Sequence, residues 1–544
     1  SVNVLAIKKI TYGLNDIAQN SIDFIYENRP DGFNSYQTGF KQHTQHRLKT
    51  INVNHGARQL WHYELAYEYA LGDALYPQKH QNALNAGISL LKKVTRFNGD
   101  STVSLPPMRF DYSEIYAQDM DLEPLGNFPG DEDIDRNHNG ILDSDALVEI
   151  QNLPTGINIM GQEASFTDLT HDGLPDWLFY KSGQYQWAKN LGPDAQGMPQ
   201  FAEAQVLNNA PVAPLSDPSV DLTDMDGDGQ ADFLHRINDT TWRYYRNRGN
   251  GDFAQAVAYP TTPTLRPGTS GVAYMDINLD QRLDIISAEN QYLRYCQNGE
   301  SNPVAKLSQG YDKDLAPFDN FPGPEDIDHN GNKIIDIPAW QCSGSIVSPL
   351  PAGINLTNPQ VQLTDINGDR LKDFARVRSY NSKIEVSYWL HKGKLSFEEQ
   401  VVMGNSPDAT GLIVEKLKLQ DINGDGLADL VYVQPGQVRF WLQQLSLTGP
   451  AFSNEQFLSA PNYEQDATAL FQADLNGNGT NDFIWVSANG TITPEFLDIS
   501  GDTKANLMTV IDNGMGLRTQ LTFTSMGAMQ ANATQAGYPW NTSS

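Results

Sequence analysis

The chain has 544 residues, with 66 acidic and 37 basic side chains and a formal net charge of −29. So acidic a surface does not suit nucleic acid or anionic membrane as a partner, because both are bound by basic patches. Hydrophobic residues at 39% and aromatics at 10% supply a packed core, and 44 glycines with 30 prolines favour turns over long helices.

Residues 1–112 read as strands. Residues 61–69 (WHYELAYEY) alternate apolar and polar, the pattern of a strand with one buried face, and residues 21–26 and 47–53 read similarly. The region is expected to be a β-rich domain that packs against the remainder of the chain. His43 and His46 lie within it, and two histidines without a third ligand are read as surface residues rather than a metal site. The chain begins at Ser1 without a basic-then-apolar leader, and is expected to be a processed or trimmed piece of something longer. No apolar run reaches the roughly 20 residues needed to cross a bilayer.

Beyond residue 112 a nine-residue pattern recurs eight times: Asp, then Asp/Asn/Thr at position three, Asp/Asn at position five and Asp at position nine. The copies are Asp135-Asn137-Asn139-Asp143, Asp168-Thr170-Asp172-Asp176, Asp224-Asp226-Asp228-Asp232 and Asp276-Asn278-Asp280-Asp284. The other four are Asp328-Asn330-Asn332-Asp336, Asp365-Asn367-Asp369-Asp373, Asp421-Asn423-Asp425-Asp429 and Asp474-Asn476-Asn478-Asp482. Asp168, Asp224 and Asp276 map onto Asp365, Asp421 and Asp474 at offsets of 197, 197 and 198 residues, and the flanking NFPG sequence recurs at 127 and 320. Residues 113–310 and 311–506 are therefore a tandem duplication.

The ninth aspartate leads into an apolar strand, such as residues 177–180 or 430–433, followed by a turn and an aromatic strand, such as residues 242–245 or 438–441. Short β-branched and aromatic strands repeating about every 50 residues are propeller blades. The fold class is all-β, a propeller of six blades, or seven if the N-terminal region contributes one. The loops at Asp135 and Asp328 fall too close to the next copy to begin blades of their own. They are read as insertions, one per half. Cys296 and Cys342 are read as small buried thiols rather than a pair. Residues 507–544 read as a strand and then a polar tail, leading toward a region beyond the chain.

Oxygen side chains at positions one, three, five and nine suit a hard cation that takes six to eight oxygens, and Ca²⁺ is the expected ion. A position-seven carbonyl would add a ligand. Position six is Gly140, Gly173, Gly229, Gly426 or Gly479 in five copies, where glycine relieves a sharp bend. Gln281, Lys333 and Arg370 replace it in the others, and those loops should bind more weakly or turn differently. The 224–232 loop, with four carboxylates, should bind most strongly. The two insertion loops should be weaker unless Asp133 and Asp326 contribute. The competing reading is a set of Asx turns, in which the side chains satisfy backbone N–H groups without an ion. Carboxylates held as ligands should stay ionised with low pKa values, which makes them structural rather than catalytic. The loops hold 22 of the 66 acidic residues, so much of the acidity has a local use.

No nucleophile elbow, zinc-protease helix or phosphate loop is present, and the chain is expected not to be an enzyme. A hydrolase on the propeller axis is the remaining catalytic alternative. The aromatic residues of the blades read as core, because they recur at the same point of each repeat.

The loop with its following strand resembles the FG-GAP/VCBS repeat of integrin α-chain propellers and bacterial surface proteins. Residues 47–53, 105–112 and 511–523 resemble the region shared by the Salmonella plasmid virulence protein B and the B components of Tc insecticidal toxin complexes. The resemblance implies a secreted bacterial, non-enzymatic scaffold whose propeller docks on a pore-forming toxin component and gates effector delivery. It also implies that shell repeats and effector lie outside this chain. The alternative is a cell-surface adhesin or lectin that binds glycans or a host protein, for which Trp61 and Trp340, outside the repeat frame, are the candidate sugar platforms.

Overall fold

The computed structural model describes residues 2–3, 6–13, 20–38, 40–69, 88–113, 147–194, 198–249, 251–259, 262–279, 282–289, 292–300, 338–342, 348–393, 396–445, 449–488, 493–499, 506–524, 529 and 533. Both insertion loops, with Asp135, Asn137, Asn139, Asp143, Asp328, Asn330, Asn332 and Asp336, lie outside the described residues, as do Asp280 and Gln281.

A strand that is apolar at consecutive positions has two faces to bury. Each of the apolar runs after a loop aspartate lies between two neighbours. Six antiparallel sheets succeed one another along the chain. Blade 1 is built from Ala164–Thr167, Asp176–Lys181, Gln184–Ala188 and Gln205–Val206. Blade 2 is Val220–Thr223, Asp232–Asn238, Thr241–Tyr245 and Val257–Ala258. Blade 3 is Val272–Met275, Asp284–Glu289, Tyr292–Glu300 and Pro338–Cys342, with Ser348–Pro349 added. Blade 4 is Val361–Thr364, Asp373–Tyr380, Lys383–Trp389 and Val401–Val402. Blade 5 is Leu417–Gln420, Asp429–Gln434, Gln437–Trp441 and Gln456–Ser459. Blade 6 is Thr468–Ala473, Asp482–Ser487 and Glu495–Leu497, completed by Leu147–Glu149 from the start of the propeller. In that pairing Phe496 lies opposite Val148, so the two ends of the propeller meet in one sheet. The fold is thus a six-bladed propeller closed by strand exchange between its ends, a closure that leaves the ring without a free seam.

The alternation of side chains along a strand assigns each residue of the second strand to one neighbour. In blade 2, Phe233 packs with Leu178 and Tyr185 of blade 1, while Leu234 packs with Ile285 of blade 3. In blade 4, Phe374 joins Ile286 of blade 3 and Ala375 joins Leu430 of blade 5. In blade 6, Phe483 joins Val431 of blade 5 and Ile484 joins Trp177 of blade 1. One apolar cluster therefore fills each of the six gaps. Trp177, Trp242, Trp389 and Trp485 are fully buried in these clusters, as expected of core. The first strands of blades 4 and 5 lie side by side, with Gln362 Nε2 donating to Leu417 O at 2.8 Å.

The N-terminal region is not a seventh blade. Its strands form a separate nine-stranded sheet that also takes in Met508–Asp512 and Arg518–Gln520. Ile511 pairs with Phe110 and Asp512 with Arg109, so the chain leaves this sheet for the propeller and returns beside its point of departure. Residues 61–69 lie in the strand Arg58–Tyr69, but Trp61, Tyr63, Leu65 and Tyr67 are only half-buried, because no second layer covers them among the described residues. His43 and His46 stand at an odd spacing on the strand Gln42–His55, hence on opposite faces.

Cys296 and Cys342 form a disulfide, which corrects the expectation of free buried thiols. They are direct partners across adjacent strands of blade 3. Their separation of 46 positions in the sequence hid that proximity.

Candidate functional site

Each described loop is the hairpin that joins the first and second strands of a blade. The residue before position one pairs across the hairpin with the ninth aspartate: Thr167 with Asp176, Thr223 with Asp232, Met275 with Asp284, Thr364 with Asp373, Gln420 with Asp429 and Ala473 with Asp482. The six hairpins place Asp168, Asp224, Asp276, Asp365, Asp421 and Asp474 at their starts.

Position one organises the turn. Asp224 accepts from the Gly227 and Gly229 N–H groups at 2.8 and 2.9 Å, and Asp421 accepts from Gly424 and Gly426 at the same distances. Asp168, Asp365 and Asp474 likewise accept from the sixth-position N–H at 2.8, 2.7 and 2.7 Å. In the five turns described at both positions, two residues have a left-handed backbone. At position six φ is 82° at Gly173, 85° at Gly229, 88° at Gly426 and 90° at Gly479, and Arg370 adopts the same turn at 67°. Position four is also left-handed, at His171, Gly227, Leu279, Gly368, Gly424 and Gly477. Arg370 and Leu279 therefore hold, at some cost, a conformation that glycine adopts freely.

The ninth aspartates are fully buried. One oxygen accepts the position-two N–H: Leu169 to Asp176 at 2.9 Å, Met225 to Asp232 at 3.1 Å, and Leu475 to Asp482 at 2.8 Å. The other accepts a backbone N–H two residues past the third-strand partner of the next residue in the second strand: Asn190 for Asp176 at 2.9 Å, Asn247 for Asp232, Asn298 for Asp284 and Gln443 for Asp429 at 2.8 Å, and His391 for Asp373 at 2.7 Å. This clasp ties three strands of a blade to one carboxylate. The ninth residue thus serves the blade whatever fills the loop. Position two is apolar and buried in all six hairpins (Leu169, Met225, Ile277, Ile366, Ile422, Leu475). In the two insertion loops it is Arg136 and His329. That contrast was a readable signal that the insertions are not blade hairpins.

In blades 1, 2 and 6 the residue just after the third strand faces the loop, and it was missed in the sequence. In blade 1 it is Lys189, whose Nζ lies 2.9 Å from Asp172 Oδ2. In blade 2 it is Arg246, 2.8 Å from Asp226 and 3.1 Å from Asp228. Tyr244 adds its hydroxyl, donated to Asp226 at 2.9 Å and Asp232 at 3.1 Å. In blade 6 the sign reverses: Asn476 and Asn478 donate to Asp498 at 2.7 and 3.1 Å. Blades 4 and 5 carry Leu390 and Leu442 there. The facing charge complements positions three and five: a cation opposite carboxylates, and a carboxylate opposite amides.

Burial dominates the electrostatics. It pushes the Asp176 carboxyl up to about 8 despite its backbone hydrogen bonds. Burial likewise raises Asp232, Asp373, Asp429 and Asp482 well above the usual carboxylate range, with neighbouring carboxylates adding to it at Asp232 and Asp429. Low values were expected for ion-bound carboxylates, and the protein's own groups do not by themselves supply them. Ligand oxygens of Asp224, Asp226 and Asp232 lie within 4.8 Å of one another. That separation fits a single hard cation held at roughly 2.3–2.6 Å from each.

Trp340, one of the two candidate sugar platforms, is buried against Trp242 and Tyr259 at ring distances of 6.3 and 5.9 Å. Trp61 is half-buried, with the Arg96 guanidinium 4.9 Å from its ring.

The family model for the FG-GAP-like repeat matches residues 224–287 and 421–485, both beginning at a loop aspartate. No curated protein matches the chain in sequence. Among solved structures, the Tc holotoxin pore of Photorhabdus luminescens aligns over 97% of this chain with a TM-score of 0.65 and 18% identity. The TcdB2–TccC3–Cdc42 complex aligns over 95% with a TM-score of 0.54, and TcdB2–TccC3 over 96% with 0.53, each at 18% identity. The chain spans 22% of the first two of those chains and 23% of the third. At such identities the likeness is one of fold. Among the described residues, no helix is long and apolar enough to cross a membrane.

Proposed function

We propose that this chain is the propeller module of a secreted, toxin-complex B-like protein, a non-enzymatic scaffold that docks on a pore-forming partner and gates passage of an effector. The observation that carries the reading is the likeness to the Tc holotoxin pore over 97% of the chain, a share that takes in the propeller and the N-terminal sheet together. The kinship with the plasmid virulence protein B rests on residues 47–53, 105–112 and 511–523. Their strands belong to one sheet, with Phe110 directly opposite Ile511. A propeller offers binding loops on a rigid base, which suits docking better than chemistry. The Cys296–Cys342 disulfide favours an oxidising, extracellular setting.

Calcium is the proposed staple of the loops. The support is the oxygen cluster of Asp224, Asp226 and Asp232, together with buried ninth carboxylates that a nearby cation would keep ionised. A glycan-binding reading has lost one of its two platforms, since Trp340 is buried.

The test of docking is capture of the full chain, in millimolar CaCl2, by an immobilised Tc pore-forming component. Retention at micromolar concentration is expected, and no retention at any concentration overturns the reading. For the staple, chelation should lower the melting temperature, and an identical melt with and without chelator overturns it.

A further inference from the structure

In blades 1 and 2 the second oxygen of the fifth-position carboxylate faces Lys189 or Arg246. Blade 4 has Leu390 in that place, so Asp369 receives no cation from its own third strand. Its Oδ2 instead accepts the backbone N–H of Tyr36 at 2.8 Å, from a residue 333 positions earlier in the chain. Tyr36 lies in the turn between the N-terminal strands Asn20–Ser35 and Gln42–His55. Position three of the same loop joins in, with Asn367 Nδ2 donating to Asn34 O at 2.9 Å.

Tyr36 fits blade 4 through its side chain as well. It is 4% exposed and belongs to the apolar cluster of Ile366, Leu371 and Tyr388. Its hydroxyl donates to Glu398, and Lys41 from the far side of the turn pairs with the same carboxylate at 2.6 Å. A buried tyrosine with a satisfied hydroxyl is the usual form of an anchor residue.

We propose that the 365–373 loop is a docking receptor for the chain's own Tyr36 turn, a latch that fixes the N-terminal sheet to blade 4, and not a cation loop like its relatives. Leucine before the clasp is shared with blade 5, but two features set this hairpin apart: the outward-turned amide of Asn367, which donates to Asn34 O, and Arg370 where most copies have glycine. The latch is small, a single anchor with a few polar contacts, so local opening can release it while the blades stay folded. Released, the sheet would, among the described residues, remain joined to the propeller through the chain beside Tyr112 and Met508.

The test is limited trypsin digestion of the full chain, following cleavage after Lys41 by mass spectrometry. In the wild type this bond should be cut slowly, at the same rate in CaCl2 and in chelator. Asp369→Ala and Tyr36→Ala should each raise the rate about tenfold, the loss of one buried polar contact or anchor. Glu455→Gln, which loosens an exposed ion pair with Arg439 on blade 5, should leave it unchanged. Glu398→Gln keeps the loop intact and should raise the rate severalfold, which decides the matter if Asp369→Ala fails to fold. Wild-type protection of Lys41 in both Asp369→Ala and Glu398→Gln overturns the latch. Release of Lys41 by chelator alone also overturns it, because the loop would then be held by a cation.

Discussion

Asn190 of the first blade donates its side-chain amide to the Leu475 carbonyl of the sixth at 3.0 Å, and to Pro175 O at 3.2 Å. The same device links blades 2 and 3, where Asn298 donates to Met225 O at 2.6 Å, and blades 4 and 5, where Gln443 donates to Ile366 O at 3.2 Å. In these three blades the clasp residue thus fastens its blade to the position-two carbonyl of the blade before it. Asn247 holds the equivalent place in blade 2, yet its amide nitrogen has no partner among the described residues. Both Asn190 and Asn247 accept a turn N–H at 2.9 Å, so the pair isolates the bond between blades. Asn190→Ala is expected to cost about 1–2 kcal/mol more than Asn247→Ala, measured by denaturant unfolding. Equal losses would show that the staple adds nothing to ring closure.

Arg246 changes the ranking of the loops by carboxylate count. The 224–232 loop is richest in carboxylates, but its guanidinium already lies against Asp226 and Asp228. A calcium ion there must compete with it, because both positive charges use the same oxygens. In Arg246→Leu, which copies blade 5, the chelated protein should lose about 1–3 kcal/mol, as a charge-assisted contact is lost. The rise in melting temperature on adding CaCl2 should then exceed that of the wild type. An unchanged calcium response would mean that ion and guanidinium do not share the site.

The blade count and the place of each hairpin were legible because the ninth aspartate is spaced by local chain geometry. Its clasp needs an acceptor at the start of the second strand, so every blade kept it. What stayed hidden depends on partners distant in sequence. Lys189, Arg246 and Asp498 meet the loops only through the register of the third strand, and Tyr36 meets Asp369 across the whole first half of the propeller. The closing strand Leu147–Glu149 follows the insertion loop that ends at Asp143, a loop read as too close to the next copy to begin a blade, so the strand went unrecognised. The N-terminal alternation gave the strands correctly but not their half-buried state, which depends on what covers the sheet.

The disulfide fixes the fourth strand of blade 3 to the third. It closes a loop of 46 residues, for which lost chain entropy in the unfolded state amounts to about 4 kcal/mol. Reduction, or Cys342→Ser, is expected to speed amide exchange along Tyr292–Glu300 by orders of magnitude and to leave the second strand of blade 6 as it was. Exchange that accelerates equally in both blades would mean that the propeller unfolds as one unit, with the bond protecting the whole ring.

His391 stands where the other described clasps have asparagine or glutamine. It is fully buried against Phe397, with neither ring nitrogen hydrogen-bonded among the described residues, and burial lowers its pKa to about 4. In the unfolded chain it would titrate near 6.5. Between those values the unfolded state binds the extra proton, so its contribution to stability is intact above about 6.5 and is lost as pH falls toward 4. His391→Asn removes the titration and restores an amide at the clasp. The substitution should therefore flatten the acid limb of the melting curve, and its benefit at pH 5 should exceed that at pH 7.5 by about 1 kcal/mol or more. A benefit of the same size at both pH values would mean that packing, not protonation, sets the effect of this residue.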